Sequence, residues 1–160
     1  QQTYQNVKRY AQALRPSILD DLGLATAIKW LAEQLHNLSG IEVQVKIDTA
    51  PPLPPETQLV LFRIVQESLN NVQRHSGASE ANITLECQRD EIRVTISDNG
   101  KGFKLPRQLS EFASQGKLGL TGMAERVQLV GGKLEVHSQE GRGTTIVVRV
   151  PTRLYAGTST

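Results

Sequence analysis

The chain has 160 residues with a formal net charge of +2, and 38% of its residues are hydrophobic. This is enough to bury one hydrophobic core beside a helical appendage, and the single cysteine, Cys87, allows no internal disulfide. The small charge, with no basic cluster interleaved with aromatic residues, argues against nucleic-acid binding, and no apolar run approaches the roughly 20 residues that span a bilayer.

The N-terminal region predicts two helices separated by a proline. Apolar residues recur at spacings of three and four up to Leu14 and again from Ser17 to Leu38, which is the pattern of amphipathic helices. Pro16 interrupts the pattern because proline removes an intrahelical hydrogen bond. The dipeptide Ser39-Gly40 is typical of a helix end.

The next segment changes from helical to strand periodicity and back. Residues Ile41 to Ile47 alternate strictly between apolar and polar, which predicts a half-buried strand. A proline-rich connector follows, and its end can start a helix, since proline is tolerated in a first helical turn. The stretch from Glu56 to His75 predicts one long helix, apolar nearly all round in its first half and polar on one face in its second.

The C-terminal half predicts four strands and one helix. The strands lie near 83–87, 92–96, 134–136 and 146–150, and the helix covers about 120–130. Residues 99–116 have no clear period and predict a long loop, and loops of this length in a compact domain are usually functional. The element order favours an α/β (α+β) two-layer sandwich, in which helices cover one mixed, mainly antiparallel sheet.

A polar face on the long helix is the first candidate site. Glu67, Asn71, Arg74 and His75 stand at i, i+4, i+7 and i+8, and so share one face of an α-helix. An amide oxygen is a hard ligand for Mg²⁺, the two cationic side chains can meet phosphate oxygens, and the carboxylate can take a proton or orient a nucleophile. The set suits a metal-bound polyphosphate, although by itself it fits a solvated helix face equally well.

The second candidate begins at Asp98, which directly follows a predicted buried strand in the segment Asp98-Asn-Gly-Lys-Gly-Phe103. A carboxylate at such a point is costly unless it is paired, and it could accept a hydrogen bond from the exocyclic amine of adenine. Gly100 and Gly102 permit sharp turns and a close approach to a ligand. Taken alone, a segment of this kind is more often an ordinary turn.

Two further glycine-rich segments follow. Gly116 to Met123 precedes the predicted helix, and glycines before a helix N-terminus form an anion site from backbone N–H groups and the helix dipole. This segment alone fits a plain loop-to-helix junction equally well. The segment Gly141-Arg-Gly143-Thr144 alone fits a hairpin turn better than a binding site. Each single match is weak.

The four segments in this order resemble the N box and the glycine boxes of the family that joins gyrase, a heat-shock chaperone, MutL and the histidine kinases, over about Pro55 to Pro151. The chain is most similar to the histidine kinase subfamily that includes the nitrate sensor and the membrane-fluidity sensor kinases. Three stretches carry this closer resemblance: Leu14-Arg-Pro-Ser-Ile-Leu-Asp-Asp-Leu-Gly-Leu24, Gln66-Glu-Ser-Leu-Asn-Asn-Val-Gln-Arg-His75 and Gly119-Leu-Thr-Gly-Met-Ala-Glu-Arg126. The resemblance implies a Bergerat-type ATP-binding fold with an N-terminal helical tail.

The resemblance also implies a role for each matching residue, with ATP and Mg²⁺ as cofactors. Asn71 would ligate Mg²⁺ and act in catalysis with Glu67, which matches the base of the ATPases in the wider family. Asp98 would bind adenine. The other ATP contacts would come from Arg74, His75, Gly100, Gly102, Gly119, Leu120, Thr121, Gly122 and Thr144.

Two departures from the family pattern stand out. The residues before Gly119 lack the fuller glycine pattern that is common there. The sequence also lacks the phosphoacceptor motif, a histidine beside an acidic residue early in a helix. The histidines of the chain lie in a different helix, in the N box and in a strand: His36, His75 and His137. We therefore expect the acceptor histidine upstream of Gln1, on a longer protein.

The resemblance implies a domain organisation and a set of partners. Residues 1–22 would be the end of a dimerisation and phosphoacceptor domain with its linker, 23–153 the catalytic and ATP-binding domain, and 154–160 a flexible tail. The partners would be the chain's own upstream domain and, indirectly, a response regulator, in a homodimeric full-length protein. We expect a cytoplasmic fragment, without nucleic-acid or membrane contact of its own, whose full-length protein can be anchored to a membrane through upstream segments.

Two other functions stay open alongside a histidine kinase that transfers the γ-phosphoryl group of ATP. One is a serine kinase that phosphorylates an anti-anti-sigma factor, and the Leu-Arg-Pro segment argues against it. The other is a nucleotide-gated interaction module with a degenerate site, and the retained Glu67, Asn71 and Asp98 argue against that. A gyrase-type or MutL-type ATPase would need an additional transducer domain, for which no residues remain.

Overall fold

The computed structural model describes residues 16–105 and 119–152. The helix predicted up to Leu14, most of the predicted long loop and the C-terminal tail lie outside the described residues. Within them the elements are α1 (Ser17–Ser39), β1 (Glu42–Ile47), α2 (Pro55–Asn71), a π-helical turn (Val72–Ser76), β2 (Glu80–Cys87), β3 (Glu91–Asp98), α3 (Leu120–Leu129), β4 (Lys133–Ser138) and β5 (Thr144–Pro151).

The first described helix, α1, confirms the predicted second helix but contains a kink. Gly23 has φ 83° and ψ 172° inside it, a conformation that glycine adopts at little steric cost. Leu19 before the kink and Ile28 after it are both buried in the core, so both arms of α1 pack on the domain. The helix ends at Gly40, which has φ 75° and donates its N–H to the His36 carbonyl at 2.8 Å.

The helix predicted from Glu56 to His75 is α-helical only as far as Asn71. Its last turn, Val72–Ser76, is a π-helical turn, in which hydrogen bonds run from i to i+5. The prediction of one continuous α-helix was therefore wrong in its final turn. Because a π turn changes the angular spacing of side chains, α-helical spacing describes this face only up to Asn71.

The five strands of the described region form one mixed sheet in the order β1-β2-β3-β5-β4. The pair β1–β2 is parallel, and the pairs β2–β3, β3–β5 and β4–β5 are antiparallel. The last strand, β5, therefore lies between β3 and β4, and its register places Thr144 opposite Asp98. This topology confirms the predicted mixed, mainly antiparallel sheet.

The helices cover one face of the sheet and enclose the core with it. Every second residue along β2 and β3 is buried, such as Ile83 and Val94, and the residues between them are more exposed. The middle of α2 supplies Leu61, Phe62, Ile64 and Val65 to the core, whereas Leu59 and Val60 before them are only half-buried. Among the described residues, the structure has no helix with the length and apolar character that crossing a lipid bilayer requires.

Candidate functional site

A cavity of about 550 Å³ opens between α2 with its π-helical turn, strands β3 and β5, the loop after β3 and the start of α3. This volume lies in the range of small-molecule sites, roughly 300–1,000 Å³. Half of the residues predicted for the site line it: Asn71, His75, Asp98, Gly102, Leu120 and Thr144. The other half lie outside the lining: Glu67, Arg74, Gly100, Gly119, Thr121 and Gly122.

Asp98, the last residue of β3, forms one end of the cavity. Its Oδ1 accepts a hydrogen bond from the Gly100 backbone N–H at 2.8 Å, and the Thr144 backbone N–H is a second donor to the carboxylate. Burial raises the pKa of Asp98 above its usual value, and the two backbone hydrogen bonds oppose this rise. A carboxylate has about four acceptor positions, so Asp98 keeps capacity for a ligand donor.

The raised pKa of Asp98 predicts a stability effect in the nucleotide-free chain. The neutral carboxyl group favours the folded state; this contribution is complete below the pKa of the unfolded chain and is lost as the pH rises through the folded-state pKa. We therefore expect Asp98→Asn to raise the midpoint of thermal unfolding at pH 7, and to raise it less at pH 4. Circular dichroism melts at the two pH values measure this.

The matched control for that experiment is Asp90→Asn, at an exposed position in the β2–β3 turn. It should show no comparable pH-dependent gain in the unfolding midpoint. A midpoint for Asp98→Asn that falls at pH 7 by more than the control would contradict the expected cost of the buried carboxylate.

Glycines in the loop after β3 permit close contacts with the protein's own backbone. A Cβ on Gly100 would collide with the Ser76 carbonyl oxygen, and one on Gly102, whose φ is 62°, would collide with the backbone of the β4–β5 turn. Between them, the Lys101 N–H donates to the Ser76 carbonyl at 2.8 Å, and the Lys101 carbonyl accepts from Gly141 at 2.6 Å. These two glycines were predicted to bring the backbone close to a ligand. In the structure they bring it close to the π-helical turn and the β4–β5 turn, which both contribute to the cavity lining.

The Asn99 side chain ties the end of β3 to the segment before β2. Its Oδ1 accepts hydrogen bonds from the backbone N–H groups of Ser79 and Glu80, both at 3.0 Å. Its Nδ2 donates to the Ser79 hydroxyl at 2.9 Å. Asn99 therefore fixes the backbone between Asp98 and Gly100, although its own side chain is not part of the cavity lining.

Removing the Asn99 side chain should moderately lower the stability of the domain. We expect Asn99→Ala to lower the free energy of unfolding by about 1–2 kcal/mol, because three exposed hydrogen bonds are exchanged for bonds to water. Urea titration followed by circular dichroism measures the change. Asn82→Ala, at an exposed position on β2, is the matched control and should stay within about 0.5 kcal/mol of wild type.

The α2 side of the cavity carries Asn71 and, in the π-helical turn, His75. The imidazole of His75 is exposed at the cavity, whereas Arg74 is exposed outside the lining. Arg74 therefore does not share the cavity lining with His75, although the two residues are adjacent in the chain.

Glu67 lies against the start of α3 instead of in the lining. A Cβ on Gly119, the N-cap of α3 with φ 78°, would collide with the Glu67 Oε1. A carboxylate beside a helix N-terminus is stabilised by the helix dipole. In the same turn Leu120 is buried, Gly122 is exposed, and the buried Thr121 hydroxyl has no hydrogen-bond partner among the described residues.

The structure also adds lining residues that the sequence did not indicate. They are Ser68, Val72, Ser76, Ile96, Lys101, Phe103, Lys104, Glu140 and Ile146. The strand period could have found two of them, since Ile96 stands two residues before Asp98 and Ile146 two residues after Thr144, on the same faces. No sequence signal indicated Glu140, which reaches the cavity from the β4–β5 turn.

The donor atoms of the cavity fit a hydrated Mg²⁺ better than a metal ion held by protein ligands alone. Within residues 16–105 and 119–152, no group of three or more His, Cys, Asp or Glu residues could hold a metal ion. The Asn71 amide is the candidate ligand in the lining. One amide oxygen fits a Mg²⁺ that takes its other ligands from water and phosphate oxygens, as this ion usually does at nucleotide sites.

The described residues thus form a two-layer α/β domain with a mixed sheet and a cavity between an Asn-bearing helix and an Asp-Asn-Gly-Lys-Gly loop. The model of the family "Histidine kinase-, DNA gyrase B-, and HSP90-like ATPase" matches residues 56–154. The chain therefore belongs to this family of ATP-binding domains, as the resemblance of its boxes predicts. The finer assignment to the nitrate-sensor subfamily stays a prediction.

Curated relatives are sensor histidine kinases. The chain is 36% identical over 146 residues to the signal transduction histidine-protein kinase/phosphatase DegS of Brevibacillus brevis, which covers 91% of this chain and 36% of that protein. It is 40% identical over 139 residues to the sensor histidine kinase LiaS of Bacillus subtilis, which covers 86% of this chain and 37% of that protein. The chain thus spans about a third of the length of these relatives.

Solved structures support the same fold. The histidine kinase domain of the Erythrobacter litoralis EL346 blue-light activated histidine kinase superposes with a TM-score of 0.67 at 26% identity, covering 81% of this chain and 61% of that one. The catalytic domain of the histidine kinase ThkA superposes with a TM-score of 0.63 at 18% identity, covering 81% of this chain and 90% of that one. The predicted Bergerat-type fold class is confirmed.

Proposed function

We propose that this chain is the catalytic and ATP-binding domain of a sensor histidine kinase, which transfers the γ-phosphoryl group of ATP to a histidine on a helical domain. The observation that carries the proposal is that one cavity joins Asp98 and Thr144 from the sheet to Asn71 and His75 from α2. A half-buried carboxylate at one end, and an amide and an imidazole at the other, match the two chemically different ends of a nucleotide, the base and the phosphates.

The sheet end of the cavity is assigned to adenine. Asp98 is a half-buried carboxylate held by two backbone donors, with further acceptor capacity. Ile96 and Ile146 supply apolar surface beside it, on which the faces of a purine can pack. This end therefore offers a strong acceptor beside an apolar surface, which is a setting in which an amino group is preferred to a carbonyl.

The α2 end is assigned to the phosphates. Asn71 would hold Mg²⁺, and the ion, when bound, would neutralise charge on the phosphate oxygens. His75 lines the cavity, and Arg74 would join it by a change of rotamer. The glycine-rich start of α3, from Gly119 to Gly122, adds backbone N–H groups and a helix dipole suited to an anion.

Glu67 is assigned an orienting role beside the phosphates. Its carboxylate touches Gly119, so it lies between α2 and the start of α3 and not against the adenine end. A carboxylate there can accept a proton from an attacking imidazole or orient its ring. Phosphoryl transfer depends mainly on such positioning and on charge stabilisation.

The acceptor histidine is assigned to a domain outside this sequence. The His36 Nδ1 lies 3.0 Å from the Ile41 carbonyl at the end of α1, and the His137 Nε2 lies 3.4 Å from a Glu135 carboxylate oxygen on β4. Neither residue lines the cavity. The partners in this proposal are an upstream dimerisation domain and, through it, a response regulator, within a cytoplasmic part of a homodimeric protein.

The chain alone should therefore not label itself with phosphate. When it is incubated with radiolabelled ATP and Mg²⁺, we expect acid-labile phosphate only after the phosphoacceptor domain is added, and then on that domain. Misaligned histidines react slowly because the in-line geometry is missing. Strong acid-labile labelling of the chain alone that disappears in His36→Gln or His137→Gln would show an internal acceptor and refute the assignment.

A further inference from the structure

The hydroxyl of Ser138, the last residue of β4, has three contacts behind the Asp98 end of the cavity. It accepts a hydrogen bond from the Phe103 backbone N–H at 2.9 Å. It also lies 3.2 Å from the Gly143 carbonyl oxygen and 2.8 Å from the Thr144 hydroxyl oxygen. Thr144 lines the cavity and Ser138 does not. A serine hydroxyl has a single proton, so the last two contacts compete for it.

A count of donors and acceptors assigns that proton. If Ser138 donated to Thr144, the Gly143 carbonyl would keep, among the described residues, only the Gln139 N–H at 3.5 Å, which is long for a hydrogen bond. If Ser138 donates to Gly143, Thr144 donates to Ser138, and all three contacts of Ser138 become hydrogen bonds. Polar groups shielded from water are nearly always paired, which favours the second arrangement.

In this arrangement Thr144 turns its proton away from the cavity and offers a lone pair to it. Ser76, another lining residue, offers no donor to a ligand, because its hydroxyl donates to the Val72 carbonyl at 2.5 Å and accepts from the Ala78 N–H at 3.0 Å. Asp98 adds its carboxylate oxygens. Asp98 and Thr144 therefore present hydrogen-bond acceptors to a ligand at this end of the cavity.

Acceptors select a ligand edge that carries N–H donors. The 6-amino group of adenine has two, whereas the 6-oxo group of hypoxanthine in direct contact would face these oxygens with no proton between them. We infer that Ser138 is a positioning residue for base specificity: it fixes the direction of the Thr144 hydroxyl proton and so makes Thr144 an acceptor that prefers a 6-aminopurine to a 6-oxopurine. This inference rests on the proposed ATP-binding function and adds to it a residue outside the cavity.

The test is the ratio of dissociation constants for inosine diphosphate and adenosine diphosphate, measured by calorimetry at one Mg²⁺ concentration. We expect Ser138→Ala to lower this selectivity ratio about tenfold, because the freed Thr144 hydroxyl can then donate to the 6-oxo group; tenfold corresponds to about 1.4 kcal/mol. Ser97→Ala is the matched control, since Ser97 is half-buried on the opposite face of β3 and should keep the wild-type ratio.

A double-mutant cycle separates this role from a general structural one. Thr144→Val removes the hydroxyl and should itself lower the ratio about tenfold, and in that background Ser138→Ala should change the ratio no further. The Thr144→Val arm also tests the inference if Ser138→Ala does not fold, because a wild-type ratio in Thr144→Val would overturn it.

The other outcomes are equally decisive. An unchanged ratio in folded Ser138→Ala, or an equal weakening of both nucleotides, overturns the inference and leaves the proposed function intact. A wild-type chain that binds neither diphosphate overturns both.

Discussion

Replacing Asn71 with alanine should lower phosphoryl transfer to a supplied phosphoacceptor domain by about 100-fold or more, which corresponds to about 2.7 kcal/mol of transition-state stabilisation. The reason is the proposed loss of a Mg²⁺ ligand beside the phosphates. The Asp98 end of the cavity keeps its contacts in this variant, so nucleotide affinity measured without Mg²⁺ should change by less than about threefold. The rate is measured as acid-labile label on the acceptor domain over time.

The matched control is Asn70→Ala, the preceding residue on α2, which is half-buried and outside the cavity lining. It should transfer phosphate at close to the wild-type rate. Near-normal transfer by Asn71→Ala, or a loss of equal size in both variants, would count against Asn71 as the Mg²⁺ ligand. A large loss of Mg²⁺-free nucleotide affinity in Asn71→Ala would instead place this residue among the base or ribose contacts.

Replacing Asp98 with alanine should raise the dissociation constant for ADP by about 10-fold to 150-fold. A hydrogen bond to a charged group is worth about 1.5–3 kcal/mol, and the alanine would also leave the backbone N–H donors of Gly100 and Thr144 without their acceptor. Calorimetry of the folded variant measures the change. The folding of this variant must be checked separately, because the loss of the carboxylate acceptor can also lower the stability of the nucleotide-free chain.

The control for that variant is Asp90→Ala, at an exposed position in the β2–β3 turn, which should bind ADP like wild type. Equal ADP affinity in wild type and folded Asp98→Ala would remove the adenine assignment. The stability effect expected for Asp98→Asn is independent of this result, since it concerns the nucleotide-free chain. A variant with weaker binding and higher thermal stability would show that the carboxylate costs stability and serves the ligand.

Much of the fold follows from local periodicity in the sequence. The strict alternation in β1, β2 and β3 and the helical spacing in α1 and α2 correspond to elements that the structure contains. These patterns are visible because each element buries one face against one core, and burial selects apolar residues at a fixed period. The position of Asp98 at the end of an apolar strand follows from the same pattern.

The π-helical turn after α2 was not predictable in this way. Nothing in the residues Val72–Ser76 distinguishes a π-helical turn from an α-helical one by apolar spacing. The turn is accompanied by contacts from elsewhere, since Lys101 donates to the Ser76 carbonyl and Gly100 packs on it without a Cβ. Those partners lie on the loop after β3, so only the assembled domain brings them together.

The family of this protein and its layers could be predicted from motifs and periodicity alone, and so could four site residues to test: Asn71, His75, Asp98 and Thr144. The tertiary structure decided that β5 lies between β3 and β4, and with it the pairing of Thr144 with Asp98. It also decided the roles of Asn99 and Ser138, whose hydrogen bonds join segments about 20 and 35 residues apart. Short polar side chains carry no periodic signal, because their contribution depends on which backbone groups the fold places within about 3 Å of them.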